Sequence, residues 1–576
     1  MEKRVLLAVG LSALVLVIYQ TLFVKPVPRP APPSAVAGAS ATPSPAGAGT
    51  AAIPEATPRV DSPPVATVRA DSAERELVVN SPAVRAVFTN RGGILTSWQL
   101  KNYVADNGQP IDMVPPGLPE SDPRAFALVA EDPEITRRLD SALFVPSVTE
   151  LDTASGNRRL LLEFEDAAGL KATKEWEFFP DGHNYLVTFS ARVEVRGAMI
   201  PVAVSSGPGV GDTARAVGSS SFLSPSYYQK PEGLVQRGRD VTRLAAAQLA
   251  EAQVHEGIFT GVGADDQYFI ALVLPEGRNT RVTYDILPAT ATAAGPRDLV
   301  RFRARVAGGF QNVKMFLGPK QYGELAAVDR ELVRTINFGM FDWLVVPLLQ
   351  ALNWIDAYVT NYGWSIILLT LLLSAAISPL RHRSVVSMRK MQQIQPQVKA
   401  IQERYAHLKA TDPARQKMNT EMMNLYREQG VNPASGCLPL VLTMPVLFAF
   451  YAMLSQAIEL RGAPFMGWIH DLSTHDPYYV TPLLMGASMV LQQRMQPTSA
   501  DPVQQKVMMF MPVMFTFMFL WAPSGLVLYW LVSNLWAIGQ QQVTNMLIGP
   551  PPAPAPRPGG SSRIKQAGSG RSAGAQ

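Results

Sequence analysis

The segment WSIILLTLLLSAAISPL, residues 364–380, passes without a linker into RHRSVVSMRKMQQIQPQVKAIQERY, residues 381–405. The first part is apolar enough to enter a bilayer. The second is basic and amphipathic: Met388, Met391, Ile394, Val398, Ile401, Tyr405 and Leu408 step by three or four. A lipid-soluble helix feeding a positively charged, water-soluble one is a device for a membrane face. The rest of the chain is read outward from it.

The chain has 576 residues, enough for a soluble domain and a membrane domain. Charged residues make up 17%, against a globular norm of about 25%. The split is regional: residues 65–330 read as soluble and most of 340–548 as membrane. A single cysteine, Cys437, excludes an internal disulfide and a cysteine zinc cage. The six histidines (183, 255, 382, 407, 470, 475) are scattered, so no metal site is expected.

Residues 1–24 hold MEKR and an apolar run, Val5 to Val24, about the length of a membrane span. They are expected to be an uncleaved signal anchor, with Lys3 and Arg4 holding the N-terminus inside. Residues 25–66 are rich in Pro, Ala and Ser and read as a disordered tether. Residues 67–325 carry short alternating segments, among them ELVVNSPAVRAVFTN, RRLLLEFED, KATKEWEFF and NYLVTFSARVEV, separated by turns such as Arg91-Gly92-Gly93. Period-two alternation at this density predicts a large antiparallel β-sandwich. GPGVGD at 207–212 reads as a turn, since no helix bearing a lysine follows it. His183 and His255 lack a neighbouring nucleophile or carboxylate pattern and read as surface or structural residues.

From 326 to 362 the period becomes helical, with Trp343, Trp354, Asp342 and Asp356 among apolar residues. An amphipathic helix lying in the membrane interface is expected there. Residues 363–548 are expected to form a membrane core with spans at about 363–380, 437–458, 478–495, 507–522 and 524–546. With the N-terminal anchor this makes six spans, several of them short and carrying Pro445, Pro482, Pro512 or Pro523. The loop 381–434 holds ten Lys/Arg against four acids; 459–477 holds one against three; the tail 549–576 holds four basic residues and no acid. The positive-inside rule therefore expects loop, tail and both termini in the cytoplasm and the β-domain outside.

Within that loop, residues 384–430 read as a helical hairpin. Its turn is Thr411-Asp412-Pro413, and its second arm presents Met418, Met422 and Leu425 on one face. Most of these apolar faces are expected to pack on each other. The charge excess exceeds packing needs and suits anionic lipid, ribosomal RNA or a nascent chain.

Several words now stand in order: GPK (318–320), NYGWSIILLT (361–370), SPL (378–380), LYREQGVNPASGCLPLVLTMPV (425–446), RGAPFMGWIHDLSTHDPYYVTPLLMG (461–486) and DPVQQKVMMFMPVMFTFMFLWAPSGLVLYWLVSNLWAIGQQQ (501–542). They closely resemble the YidC membrane protein insertases, in the Gram-negative form with a large periplasmic domain. The resemblance is dense over 340–545 and looser over the β-domain. It implies a polytopic α-helical inner-membrane protein, five spans forming the insertase core, with a periplasmic antiparallel β super-sandwich. It further implies a non-enzymatic insertase and folding chaperone, without cofactor or nucleotide hydrolysis; no Walker A motif occurs in the chain. The implied partners are nascent membrane proteins, the Sec translocon, the ribosome and anionic lipids, and not DNA.

The resemblance implies a hydrophilic groove, closed on the periplasmic side, into which a short polar flank enters while the apolar segment slides into lipid. The physics supports such a device. A charge at mid-bilayer costs about 2.5–3.5 kcal/mol, whereas one Leu or Ile returns about 0.3–0.6 kcal/mol. Candidate lining residues are Thr370, Ser374, Ser378, Gln492, Gln493, Ser533 and Asn534, each with a structural alternative as backbone-bonded or helix-gluing residues. Tyr529 and Trp530 match the family's aromatic pair for clients, and Met444, Met508, Met509, Met511, Met514 and Met518 offer a compliant apolar surface. Arg381, Arg383, Arg389, Lys390, Lys399 and Arg404 are the hairpin residues expected to meet client or ribosome. One departure stands out: the family's first core span usually has an arginine four residues after the threonine matched by Thr370, and here it is Ser374. A transporter or lipid flippase is the competing class. It calls for paired intramembrane charges or an inverted repeat, and neither is found.

Overall fold

The computed structural model describes residues 67–548, apart from 106, 116–117, 119–123, 180–181, 208, 212–228, 230, 246–247, 250–252, 293–294, 406–413, 431–437 and 496–501. The N-terminal anchor, the tether, the hairpin turn at 411–413, Cys437 and the basic tail lie outside the described residues. The chain divides into two compact units. The first runs to Leu349 and includes Tyr451–Thr474; the second comprises Gln350–Phe450 and the chain from His475.

Strands in the first unit form where the alternation places them, for example Glu76–Asn80, Val84–Thr89, Arg159–Asp166, Leu170–Phe178 and Leu186–Val195. They assemble into one sheet of 11 strands and two of five. Among the described residues, pairing is antiparallel except between Glu76–Asn80 and Glu150–Asp152, which run parallel. That one pair departs from the all-antiparallel expectation. It is possible because the chain passes through five further strands and helix α1 (Pro133–Ser141) before returning. The inward positions are large and aromatic: Phe88, Phe126, Trp176, Phe178 and Phe189 are fully buried. Trp176 lies 5.2 Å from both Phe88 and Phe189, at the tilted angles that ring quadrupoles favour.

Charged side chains are buried in this unit too, Lys174 among them. Lys174 is fully buried, and its Nζ donates to the carbonyls of Gly92 at 2.6 Å, Gly93 at 2.9 Å and Phe126 at 2.7 Å. Gly92 and Gly93 turn with positive φ, 67° and 56°, which aims two carbonyls inward. A Cβ on Gly93 would press against Leu162 and Lys174 at 3.0 and 3.1 Å. Burial pulls the Lys174 pKa down to about 7, partly offset by Asp140. The turn predicted at Arg91-Gly92-Gly93 thus doubles as a cation socket.

Residues 451–474 carry a docked loop within the same unit. Gln267 Nε2 donates to Ser455 O at 2.5 Å, and Glu459 accepts from the Tyr322 amide at 3.3 Å. The Arg461 guanidinium lies 5.3 Å from the ring centroids of both Tyr268 and Phe269. Lys320, of the GPK word, is fully buried and meets Asp265 at 3.0 Å, with Arg243 on the same carboxylate oxygen at 3.4 Å. Of the GPGVGD run, Gly207, Gly209 and Gly211 all adopt positive φ, as a turn requires. His255 lies on the strand Gln253–Ile258, where burial and Arg237 push its pKa down.

The segment 326–362 is more broken than the period suggests. Helix α2 (Tyr322–Val328) gives way to two 3-10 turns before α3 (Asp342–Val359), on which Trp343, Trp354 and Tyr358 are exposed. Next comes α4 (Tyr362–Gln393), a single helix that runs through Pro379 into the basic segment. The expected end of the span at 380 and the expected start of the hairpin at 384 both fall inside this one helix, and the first break in it comes at Ile394. There Pro396, in the first turn of α5 (Gln395–Arg404), cannot continue the hydrogen-bond ladder. Helix α6 (Ala414–Glu428) follows; Ile394 and Val398 form a small core with Met391, Met422, Leu425 and Tyr426.

Helices α7 (Leu438–Gln456), α8 (Val480–Met495), α9 (Pro502–Phe519) and α10 (Ser524–Ile548) stand at the other expected core spans. By length and composition, only Tyr362–Met391 among the described helices is long and apolar enough to cross a membrane; Met444–Gln456 and Met509–Phe519 are shorter apolar stretches. Helix α8 has 16 residues, a rise of about 24 Å against a hydrocarbon core of about 30 Å.

Lys174→Met should leave three inward carbonyls without a donor and destabilise the first unit by about 3 kcal/mol or more. Thermal unfolding followed by the β-sheet signal measures this. Since folding strips a proton from Lys174 between its folded pKa near 7 and its ordinary value of 10.5, wild-type stability should rise with pH across that window. This increment should be absent in Lys174→Met.

Candidate functional site

The candidate residues lie on helices of the second unit, where α10 packs against α4 and α8, and α9 packs against α8. The α4–α10 seam is polar. Ser378 Oγ donates to Ser374 O at 2.8 Å, one turn back, and accepts from Trp536 Nε1 at 3.0 Å. Gln540 Nε2 donates to Ser378 O at 2.8 Å. Further along, His382 Nδ1 meets Thr544 Oγ1 at 3.3 Å, and Arg389 Nη2 donates to Asn545 Oδ1, which also accepts from Gln541 at 3.1 Å. The paired numbers rise together, so α4 and α10 run parallel.

Sequence spacing puts Thr370, Ser374 and Ser378 on one face of α4, and the structure buries the first two. The Thr370 hydroxyl donates to Ile366 O at 2.6 Å, on its own helix, as threonines in apolar helices do. Asn534 is buried and donates to Ser488 Oγ at 2.9 Å, gluing α10 to α8. Helices α8 and α9 approach closely at Gly486, where a Cβ would stand 2.0 Å from Thr516 Oγ1. Gln492 and Gln493 are partly exposed near the end of α8.

Tyr529 stacks on Phe450 with centroids 4.1 Å apart and planes 13° apart. Trp530 turns elsewhere: it meets Phe519 edge-on at 4.8 Å and Phe515 at 5.5 Å. The two aromatics, adjacent in sequence, therefore join different clusters. On α9, Met509, Met511, Met514 and Met518 are exposed together with Phe510, Val513 and Phe517, and Met444 on α7 is exposed too. The side chain of Met508 lies outside the described residues.

The six basic residues assigned to the hairpin separate into two groups. Arg383, Lys390, Lys399 and Arg404 are exposed. Lys399 pairs with Glu403 at 3.8 Å, and Arg404 reaches Glu421 across the hairpin at 3.4 Å. Tyr405 also donates to Glu421, at 2.7 Å. Arg389 and Arg381 differ. Arg389 is buried against Asn545, and Arg381 is half-buried with its Nη1 wholly enclosed. Both belong to α4, which continues past the expected border. Neither Asn545 nor the Phe450 stack is legible from spacing, because each depends on which helices become neighbours.

Residues 354–549 match the family model described as 60Kd inner membrane protein, and residues 76–351 match that of the YidC periplasmic domain. Together these cover most of the chain. The chain belongs to the YidC family of membrane protein insertases. Among its relatives, the membrane protein insertase YidC of Syntrophus aciditrophicus is 36% identical over 95% of this chain and 99% of its own. That of Geobacter metallireducens is 37% identical over the same shares. A solved structure described as "Active YidC insertase crystal structure with the first transmembrane domain resolved" aligns with 84% of this chain and 94% of its own, at 19% identity and a TM-score of 0.33, too low to bear on the fold. Within the YidC family, then, this chain presents a polar α4–α10 seam and an exposed, methionine-rich α9.

Arg389→Ala should cost about 2 kcal/mol or more, because it removes a buried charge-assisted contact. Lys390→Ala, one residue on and exposed, should stay within about 0.5 kcal/mol. Thermal unfolding of the detergent-solubilised variants compares them; equal effects would put Arg389 back on the surface.

Proposed function

We propose that this chain inserts membrane proteins by offering their polar flanks a hydrophilic groove among the second unit's helices, without nucleotide hydrolysis. The observation that carries this reading is the polar α4–α10 seam: hydroxyls, amides and a histidine line up between helices that are otherwise apolar. Ser374, Ser378, Ser533, Asn534 and Tyr529 contribute to the lining. The exposed Met and Phe side chains of α9 give the client's apolar segment a compliant surface on its way into lipid. Shortening the dry path lowers a barrier set by the flank's charges, and no covalent step is required.

In this reading the chain crosses the inner membrane six times: once through Val5–Val24 and five times through α4, α7, α8, α9 and α10. Helix α3 lies at the interface on its exposed tryptophans. The β-unit is periplasmic, and the end of α4 with the hairpin α5–α6 is cytoplasmic, where Arg383, Lys390 and Lys399 meet the emerging chain, the ribosome or anionic lipid. The protein works alone or beside the Sec translocon.

The direct test is a proteoliposome holding only this protein, offered a single-span client with a short flank. Insertion above that of protein-free liposomes, without ATP, is expected; parity with empty liposomes would overturn the reading. Topology is checked separately in a Cys437→Ser background. An impermeant maleimide added to intact spheroplasts should label Asn157→Cys and leave Ala400→Cys unlabelled. The reverse pattern would invert the assignment.

A further inference from the structure

The outer face of one sheet in the first unit carries more positive charge than the acids around it offset. The strands Gln253–Ile258, Asn279–Thr292, Gly295–Val306, Val202–Ser206 and Leu128–Ala130 lie side by side in that order. In RFRARV, residues 301–306, Phe302, Ala304 and Val306 are buried in the core. Alternation therefore turns Arg301, Arg303 and Arg305 to the other face. On the adjoining strand Val282 and Tyr284 are buried, so Arg281, Thr283 and Asp285 share that outer face. The register sets Arg305 directly opposite Arg281. Like charges in that position weaken a sheet, so the fold gains nothing from this pairing.

Two acids serve four arginines. Arg301 and Arg303 reach the same oxygen of Asp285, at 3.0 and 2.9 Å. Arg305 meets Glu131 at 2.5 Å, and the Glu131 side chain is 73% exposed. Arg281 makes no ion pair among the described residues; Glu256, opposite it on the outermost strand, instead accepts from Asn279 at 3.5 Å. Arg301 and Arg303 each keep a buried Nε without a hydrogen-bond partner among the described residues. Between Arg281, Arg303 and Arg305 runs an open groove of about 310 Å³, floored by Thr283, Ala203 and Val129. The short side chains of Thr283 and Ala203 leave room for a chain to lie on the sheet.

Each guanidinium is a planar fork that suits a carboxylate, and Asp285 and Glu131 are already bound that way. Spacing narrows the ligand further. Arg301, Arg303 and Arg305 recur at every second residue, about 6.6 Å apart along the strand. Carboxylates at alternate positions of an extended polypeptide recur at the same distance. A lone phosphate is too small to meet all three. We propose that this groove is a docking site for an extended acidic segment of a partner polypeptide, with Asp or Glu at every second position. Arg281, Arg303 and Arg305 bind its carboxylates, and Glu131 holds Arg305 until the partner displaces it. The groove belongs to the β-unit alone and draws on nothing in the α4–α10 seam, so its occupancy is measured without insertion.

The test uses full-length protein in a neutral detergent and fluorescently labelled peptides, with binding read by anisotropy. One peptide alternates Glu and Thr; a second has the same composition with all its Glu residues in one block; a third alternates Lys and Thr. The alternating acidic peptide should bind about fivefold tighter than the blocked one, weaken as salt rises, and outbind the basic peptide at every salt concentration. Arg281→Gln should weaken it about fivefold. That side chain is exposed and makes no ion pair, so its loss leaves the sheet intact. Glu131→Gln frees Arg305 and should tighten binding about threefold, a gain that misfolding cannot imitate. Equal binding of the alternating and blocked peptides would reduce the groove to a general anion surface and overturn the proposal. So would unchanged affinity in Arg281→Gln, or weaker binding in Glu131→Gln. Displacement of the alternating peptide by millimolar inorganic phosphate or by phosphatidylglycerol vesicles would assign the arginines to a phosphate or a lipid headgroup, and would equally sink it.

Discussion

Taking a polar group out of water without a partner is the cost around which both units are arranged. In the β-unit, hydrophobic burial supplies the cohesion, and Lys174 is admitted because three backbone carbonyls converge on it. Among apolar helices that cohesion weakens, since lipid is as greasy as a leucine face. The helices are joined instead by close approach, as at Gly486 and Thr516, and by shared hydrogen bonds such as Asn534 to Ser488. The same polar groups that fasten α4 to α10 give water and polar flanks a reason to enter. Adhesion and function draw on one set of side chains, and that is why so few of the candidate residues can be assigned to one role alone.

Periodicity carried much of the architecture. Alternation over RRLLLEFED and KATKEWEFF marked strands to within a residue, because a half-buried strand must alternate whatever it pairs with. The hairpin face of Met391, Ile394, Val398, Met422 and Leu425 was legible for the same reason. Boundaries were less so. The run of charge after Leu380 looks like the end of a helix, but helix and membrane are different things, and α4 continues to Gln393 because nothing before Pro396 stops it.

Individual roles were least legible. Arg389 and Lys390 are neighbours of like charge, and only the packing of α4 on α10 distinguishes the buried one from the exposed one. Tyr529 and Trp530 resemble a pair in sequence, yet a helix turns about 100° per residue and sends them into separate clusters. Lys174 sat unremarked in a strand of alternating charge, because its three acceptors come from loops some 50 to 80 residues away. Long-range partners of this kind have no signature in local spacing.

The loop at 451–474 has a consequence for how such a gene can be rearranged. Ser455, Glu459 and Arg461 are encoded after the hairpin but hold to Gln267, Tyr322, Tyr268 and Phe269, encoded before it. The soluble half is therefore not a cassette that recombination can cut at a single joint. A chimera exchanging only the sequence before Leu349 would bring together a loop and a surface with separate histories. Unless the donor matched at those positions, Arg461 would lose its two rings and Glu459 its amide. Descent by such exchanges should thus be rare in this family, and the two distant stretches should change in concert.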